Sequence, residues 1–179
     1  MIRFECDYAE GAAPQLLERL TRTNLEQTPG YAVDGHCQRA RDLIRAACAA
    51  PQAEVEFLVG GTQANAVIIA TMLRDCEGVI AAKTGHVSVH EAGAIEYTGN
   101  KVLELPERNG KIVPDVLAGY VADFYADGNH EHMVFPGMVY LSHPTEYGTL
   151  YTKQELEAIA DNCHRYGMTL FLDGARLGY

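Results

Sequence analysis

Gly60, Gly61 and Thr62 form the first group in the sequence that could bind a ligand. They follow an apolar run and precede a helical pattern, which places them at a junction between a strand and a helix. Glycine lets the backbone approach a ligand closely, and the free N–H groups of a helix N-terminus attract anions. The group therefore predicts either a phosphate site, with the Thr62 hydroxyl as a further donor, or a plain turn with a threonine cap.

A carboxylate, Asp173, ends another apolar run, and Arg176 follows it three residues later. An unpaired buried charge is unfavourable, so a carboxylate in this position needs a partner. Arg176 is the simplest partner, in a structural ion pair. The alternative is a cationic ring nitrogen of a cofactor, which would leave Arg176 to bind a substrate carboxylate or a phosphate.

A third group, His86, His90 and Glu91, lies in the loop after a predicted strand. Two histidines four residues apart on a helix could share a metal ion, with Glu91 as a further ligand. Gly85 and the β-branched Val87 disfavour a continuous helix through both histidines, so we expect no metal site. His86 would instead stack its ring on a cofactor, or be an ordinary structural histidine.

Strand and helix patterns alternate along the chain, and these elements would position the three groups. An amphipathic helix begins at Pro14, and the helix that ends near residue 166 begins with a capping box of Thr152 and Glu155. Further helical patterns cover residues 37–49, 62–74, 90–95 and 115–125, and strand patterns cover residues 54–59, 79–82, 101–105, 138–142 and 169–173. The alternation predicts an α/β fold, a three-layer sandwich with a mainly parallel sheet that binds ligands at the carboxyl ends of its strands.

Composition narrows the possible partners. The 179-residue chain has 14 basic and 24 acidic side chains without long runs, so neither nucleic acid nor a membrane surface is an expected partner. Its five cysteines are scattered, and neither a disulfide framework nor a thiolate metal site is expected. The sequence also lacks an apolar stretch of about 20 residues and a secretion signal at its N-terminus. These features predict a cytoplasmic protein that acts on small molecules.

Taken together and in this order, the motifs resemble the low-specificity L-threonine aldolases, which use pyridoxal 5'-phosphate (PLP) and have the aspartate-aminotransferase fold, fold type I. The resemblance rests on residues 24–31, 60–65, 85–96, 144–148 and 172–176. It implies an N-terminal helix and arm over residues 1–35. It also implies a partial PLP-binding large domain over residues 36–179, truncated before its C-terminal part and the small domain. The complete protein would be a homo-oligomer, a dimer or tetramer, with an amino-acid substrate.

The resemblance implies a role for each candidate residue. Gly61 and Thr62 would bind the cofactor phosphate, and His86 would stack on the pyridine ring. Asp173 would bond the pyridinium nitrogen, since a protonated ring is the better electron acceptor. Arg176 would help to bind a carboxylate or a phosphate.

The implied reaction is retro-aldol cleavage of a 3-hydroxy amino acid, such as threonine or allo-threonine, to glycine and an aldehyde. A base removes the proton of the side-chain hydroxyl as the Cα–Cβ bond breaks. Other threonine aldolases carry a histidine in the turn from Thr145 to Gly148, whereas this chain has Glu146 there, so the base could be Glu146, His86 or a bound water. With Asp173, these two side chains are the candidate catalytic residues. Cys6 stands where relatives often have Asn or Ser, and a substrate contact is expected there.

In this fold a lysine binds the cofactor covalently, and the family places that lysine beyond the Asp173 strand. The four lysines of this chain all precede Asp173, at Lys83, Lys101, Lys111 and Lys153. None matches the family position, so we expect the 179-residue chain alone to be inactive. The alternatives are a PLP-dependent β-eliminating lyase of the same fold, or a non-catalytic fragment that pairs with a separately encoded second half.

Overall fold

The structure, a computed structural model, describes residues 8–177. The chain divides into two compact units, Met1–Phe57 and Leu58–Tyr179, and the second contains the β-sheet. The domain boundary expected between residues 35 and 36 remains a prediction. No helix within residues 8–177 is both long and apolar enough to span a membrane.

In residues 8–57, the described part of the first unit, two helices make up the regular structure. Helix α1 covers Pro14–Thr23 and helix α2 covers Gly35–Ala47, close to the predicted positions. Pro14 opens α1, where its missing N–H is not needed. Asp34 caps α2 by accepting hydrogen bonds from the backbone N–H groups of His36 and Cys37, at 2.8 and 3.0 Å. Neither helix contains a buried residue.

Residues 54–59, which the sequence pattern predicts as a strand, do not form one. A strand needs a neighbour for its backbone N–H and C=O groups, and here two carbonyl groups bond to side chains instead. Arg41 Nε donates to the Val55 carbonyl at 3.0 Å, and Arg45 Nε donates to the Ala53 carbonyl at 2.8 Å. The prediction was wrong: residues 54–59 pair with no strand of the described chain, and an arginine of α2 occupies the Val55 carbonyl that a neighbouring strand would use.

The second unit is built on a parallel sheet of four strands. In chain order the strands of this unit are β1 (Glu77–Ala82), β2 (Lys101–Leu105), the two strands of a short antiparallel hairpin, β3 (Glu107–Arg108) and β4 (Lys111–Ile112), then β5 (Phe135–Ser142) and β6 (Thr169–Asp173). The spatial order in the sheet is β2-β1-β5-β6, and every pairing is parallel. The hairpin was not predicted, whereas the four sheet strands were.

Helices cover both faces of this sheet. They are α3 (Gly61–Met72), α4 (His86–Val89), α5 (Ala94–Tyr97), α6 (Pro114–Ala126) and α7 (Lys153–Tyr166), with a 3-10 helix at His130–His132. On one face the sheet packs against α6 and α7, with Ile80, Leu103, Val139, Leu117 and Ile159 in the core. On the other face it packs against α3, α4 and α5, with Val79, Met138, Ile69, Val87 and Ile95. The predicted three-layer α/β sandwich is therefore confirmed.

The helix predicted over residues 90–95 is replaced by two short helices on either side of a break. Ala92 and Gly93 lie within the break, with φ angles of 50° and 76°. A right-handed helix cannot continue through two successive residues in the left-handed region. Glu91 therefore lies between α4 and α5, where its side chain is buried.

Helix α7 begins with the predicted capping box. Thr152 Oγ1 accepts the backbone N–H of Glu155 at 3.2 Å, and Glu155 Oε2 accepts the backbone N–H of Thr152 at 2.7 Å.

Loss of this cap in Thr152→Ala should lower the free energy of unfolding by about 1 kcal/mol, measured by urea denaturation. Thr152→Ser keeps the hydroxyl and serves as the control. Equal stability of the alanine and serine variants would contradict the prediction.

Candidate functional site

Asp173, the last residue of β6, lies at the carboxyl end of the sheet, and three neutral donors bind its carboxylate. The Tyr140 hydroxyl donates to Oδ2 at 2.5 Å, and Asn65 Nδ2 donates to the same oxygen at 3.1 Å. The backbone N–H of Ala175 donates to Oδ1 at 3.2 Å. Because these partners are donors, the side chain is held as a hydrogen-bond acceptor with both oxygens fixed in position.

Tyr140 links this carboxylate to strand β5. The side chain is buried, and desolvation together with the hydrogen bond to Asp173 raises the pKa of Tyr140 well above its ordinary value. The hydroxyl therefore remains a neutral donor at physiological pH. Tyr140 and Ser142 are two residues apart on β5 and so lie on the same face, where Ser142 Oγ is 3.3 Å from the Tyr140 hydroxyl.

Glu146 joins the same group of side chains. Ser142 Oγ donates to Glu146 Oε1 at 2.5 Å. The other oxygen, Oε2, is buried and has no hydrogen-bond partner in the part of the chain that the structure describes. A buried carboxylate oxygen without a partner is unusual in proteins and marks a position where a ligand donor would be favourable.

Glu91 is the buried centre of a second group of polar side chains. Its side chain is 0% exposed, whereas that of His86 is 44% exposed. Glu91 Oε1 accepts a hydrogen bond from Asn65 Nδ2 at 2.6 Å and lies 2.8 Å from His86 Nδ1. Since Asn65 also donates to Asp173, His86 and Asp173 belong to one continuous hydrogen-bonded network.

The His86 and His90 rings lie with their centroids 5.5 Å apart and tilted by 48°. Helix α4 ends at Val89, so the two rings do not share a regular helical face. Within residues 8–177, no group of three His, Cys, Asp or Glu side chains is arranged to hold a metal ion. In this structure His86 therefore pairs with Glu91 rather than with a metal-binding set.

The two glycines lie at the start of α3, as the sequence predicts. Gly60 is the cap residue, without a side-chain bond, so the alternative of a threonine cap is not what the structure shows. A Cβ added to Gly60 or Gly61 would meet no heavy atom within 4 Å in the described part of the chain. Gly60, Gly61 and Thr62 are all exposed, so the start of α3 is open at these residues. Asn65 is four residues after Gly61, about 6 Å along the helix axis.

The network therefore contains Asp173, Glu146 and His86, while Gly61 and Thr62 lie one helical turn from its Asn65 member. Arg176 is exposed in the turn after β6. Cys6 lies outside the described residues.

Sequence reasoning assigned no role to Asn65, Tyr140 or Ser142, and it considered Glu91 only as a metal ligand. One signal could have found Tyr140: a phenolic hydroxyl in an otherwise apolar buried strand needs a partner. Asn65 offered a similar signal, because it lies four residues before the buried Ile69 on the inner face of α3.

The profile of the protein family described as beta-eliminating lyase matches residues 6–178 of this chain. The low specificity L-threonine aldolase of Pseudomonas aeruginosa is 31% identical over 176 residues, which are 97% of this chain and 49% of that protein. The solved structure of Leishmania major threonine aldolase has a TM-score of 0.90 and 45% identity, and the match covers 96% of this chain and 49% of that one. An aromatic aminotransferase from Pyrococcus horikoshii, 22% identical with a TM-score of 0.68, shares the fold.

The chain thus spans about half the length of the relatives it matches. The resemblance inferred from the sequence motifs is confirmed, and so is the fold class shared with the aminotransferases. Its sequence and its fold place this chain in the beta-eliminating lyase family, with threonine aldolases among its relatives.

Proposed function

We propose that the protein containing this chain is a PLP-dependent carbon–carbon lyase that cleaves threonine- or allo-threonine-type 3-hydroxy amino acids to glycine and an aldehyde. The observation that carries the proposal is the Asp173 carboxylate, held as an acceptor at the carboxyl end of β6 and bonded through Asn65 to the helix that follows the glycine turn. The threonine aldolases that match the chain support this reaction class.

The residues of the site fit PLP. A protonated pyridine nitrogen needs an acidic acceptor, and Asp173 is fixed as one. A phosphate group needs accessible N–H donors, and Gly61 and Thr62 are exposed at the start of α3, where the first N–H groups of a helix are available. The partly exposed ring of His86 offers a flat surface for stacking. We assign these residues to the cofactor on these grounds.

When bound, PLP supplies the electron acceptor that makes cleavage of the Cα–Cβ bond possible. Asp173 keeps the ring nitrogen protonated, because a carboxylate beside it favours the charged form. Arg176, three residues further on, binds the substrate carboxylate in this proposal. The proton of the substrate hydroxyl passes to Glu146, to His86 or to a water; Glu146 is favoured by its buried oxygen without a partner in the described chain.

We further propose that this chain alone does not turn over substrate, because none of its four lysines stands after the Asp173 strand, where the family places the cofactor lysine. Lys83 directly follows β1 and is exposed, and the other three are paired or lie at the far end of the sheet. Lys111 Nζ binds Glu155 Oε1 at 2.6 Å, and Lys153 Nζ lies 3.6 Å from Glu157 Oε1. Lys101 is the first residue of β2, at the end of the sheet opposite to Asp173. In this proposal the covalent bond to the cofactor would come from a lysine outside these 179 residues, and the protein would act as a cytoplasmic dimer or tetramer.

The proposal is tested by titrating the purified chain with PLP and with pyridoxal, followed by fluorescence. We expect saturable PLP binding that dialysis reverses, and weaker binding of pyridoxal, which lacks the phosphate. Thr62→Ala should weaken the binding of PLP and not that of pyridoxal, while Thr21→Ala on α1 serves as the matched control. Absence of saturable PLP binding would refute the cofactor site.

Turnover is examined separately. With threonine and PLP, the chain alone should release neither glycine nor acetaldehyde. Reduction with borohydride should not attach PLP covalently to one particular lysine. Glycine with an aldehyde from the complete protein supports the aldolase, whereas ammonia with a keto acid supports the β-eliminating alternative, which the family description favours.

A further inference from the structure

We propose that Glu91 is a positioning residue which, anchored by Asn65, fixes the proton of the neutral His86 ring on Nδ1. The proposal deepens the cofactor site and rests on it for the importance of His86. The geometry of the three side chains is nevertheless independent of any ligand.

Asn65 and Glu91 form a rigid anchor inside the second unit. Asn65 is 3% exposed and the Glu91 side chain is 0% exposed, so water competes little for their hydrogen bonds. The two protons on Asn65 Nδ2 go to two different carboxylates, to Glu91 Oε1 at 2.6 Å and to Asp173 Oδ2 at 3.1 Å. A reversed amide would turn its oxygen toward both carboxylates, which is repulsive. Asn65 Nδ2 therefore holds both Glu91 Oε1 and Asp173 Oδ2 in place.

The Glu91 carboxylate decides which nitrogen of His86 carries the proton. An ionised carboxylate only accepts, so the hydrogen of the 2.8 Å contact with His86 lies on Nδ1. A neutral imidazole has one N–H, and the bond made by one nitrogen fixes the tautomer of the whole ring. His86 Nε2 then keeps a free electron pair. Without Glu91, the partly exposed ring would choose its tautomer in contact with water.

Glu91 also has a buried oxygen, Oε2, that no described residue satisfies. A purely structural carboxylate would gain from a donor to each oxygen, or from replacement by an apolar side chain. Here one oxygen receives two donors and the other receives none from residues 8–177. This concentration of bonds on Oε1 is what directs the His86 ring.

The experiment uses the purified 179-residue chain, labelled with 15N-histidine, at a pH where the nitrogen signals are those of neutral imidazole rings. Long-range proton–nitrogen correlation spectra distinguish the two neutral tautomers, and His86→Gln identifies the His86 signals. We expect wild-type His86 to carry its proton on Nδ1. In Glu91→Ala the ratio of the Nδ1–H to the Nε2–H form should fall by at least about tenfold, as expected for loss of a bond to a charged acceptor.

Two further variants make the result decisive. Glu91→Gln keeps an accepting oxygen and should keep the Nδ1–H tautomer, while Glu96→Ala, at an exposed position of α5, is the matched control and should leave the spectrum unchanged. If Glu91→Ala fails to fold, the wild-type and Glu91→Gln spectra still show which nitrogen of His86 carries the proton. A wild-type His86 with its proton on Nε2, or a tautomer that survives in a folded Glu91→Ala, overturns the proposal.

The same samples separate this proposal from the proposed function. Expected tautomers together with no PLP binding in any variant would refute the cofactor site and leave the role of Glu91 intact. Saturable PLP binding together with an Nε2–H tautomer in the wild type would do the opposite.

Discussion

Asp173→Asn should weaken PLP binding by about ten- to a hundredfold, because a hydrogen bond to a charged partner contributes about 1.5–3 kcal/mol. The substitution removes the negative charge proposed to face the ring nitrogen. It also replaces one of the two oxygens by an NH2 group, although both oxygens now accept hydrogen bonds. The donors are Tyr140, Asn65 and the backbone of Ala175. The dissociation constant is measured by fluorescence titration, and the fold is checked by circular dichroism.

Asp123→Asn is the matched control for this variant. Asp123 lies on an exposed position of α6, and the same change of charge there should leave the dissociation constant as it is. An Asp173→Asn variant that binds PLP as tightly as the control would show that the carboxylate does not face the cofactor nitrogen.

Ile80→Ala should lower the free energy of unfolding by about 2–5 kcal/mol. Ile80 is 0% exposed in β1, a strand with neighbours on both sides, and it packs in the core formed with α6 and α7. The truncated side chain leaves a cavity that a sheet fixed by hydrogen bonds on both edges cannot close. Since whole domains are stable by only about 5–15 kcal/mol, the loss should be plain in a urea denaturation curve.

The matched control is Ile44→Ala on α2, where the residue is 41% exposed. The same atoms are removed, but little buried contact is lost, so the change should stay below about 1 kcal/mol. Similar losses in the two variants would contradict the burial of Ile80 in the core that the sheet forms with α6 and α7.

The regular elements of the second unit were largely predictable because their signals are local. The capping box at Thr152 can be recognised from four consecutive residues, and β6 ends at Asp173, the first charged residue after its apolar run. Residues 54–59 carry an equally clear strand pattern and form no strand. There Arg41 of α2 bonds to the Val55 carbonyl and Arg45 bonds to the carbonyl of the preceding Ala53, and a local sequence pattern contains no information about these distant donors.

The sequence predicted the outer residues of the site but not the residues that connect them. Asp173, His86 and the glycine turn could be found because each follows a strand or begins a helix. Their connections could not, because Asn65 and Asp173 are 108 residues apart in sequence and meet only when α3 packs beside β6. The break at Ala92, which places Glu91 inside the fold, likewise depends on backbone angles that alanine rarely adopts.

The central position of β1 and β5 in the sheet determines how readily their backbone amides exchange with solvent. Both strands have hydrogen-bonded neighbours on each side, while β2 and β6 are the outer strands of the described sheet. Backbone amides exchange their protons with solvent through local openings, and the free energy of opening is greatest where packing and pairing are densest. Amides of β1 and β5 should therefore exchange only when the whole second unit unfolds. Those of α1 and α2, which contain no buried residue, should exchange through frequent local fraying.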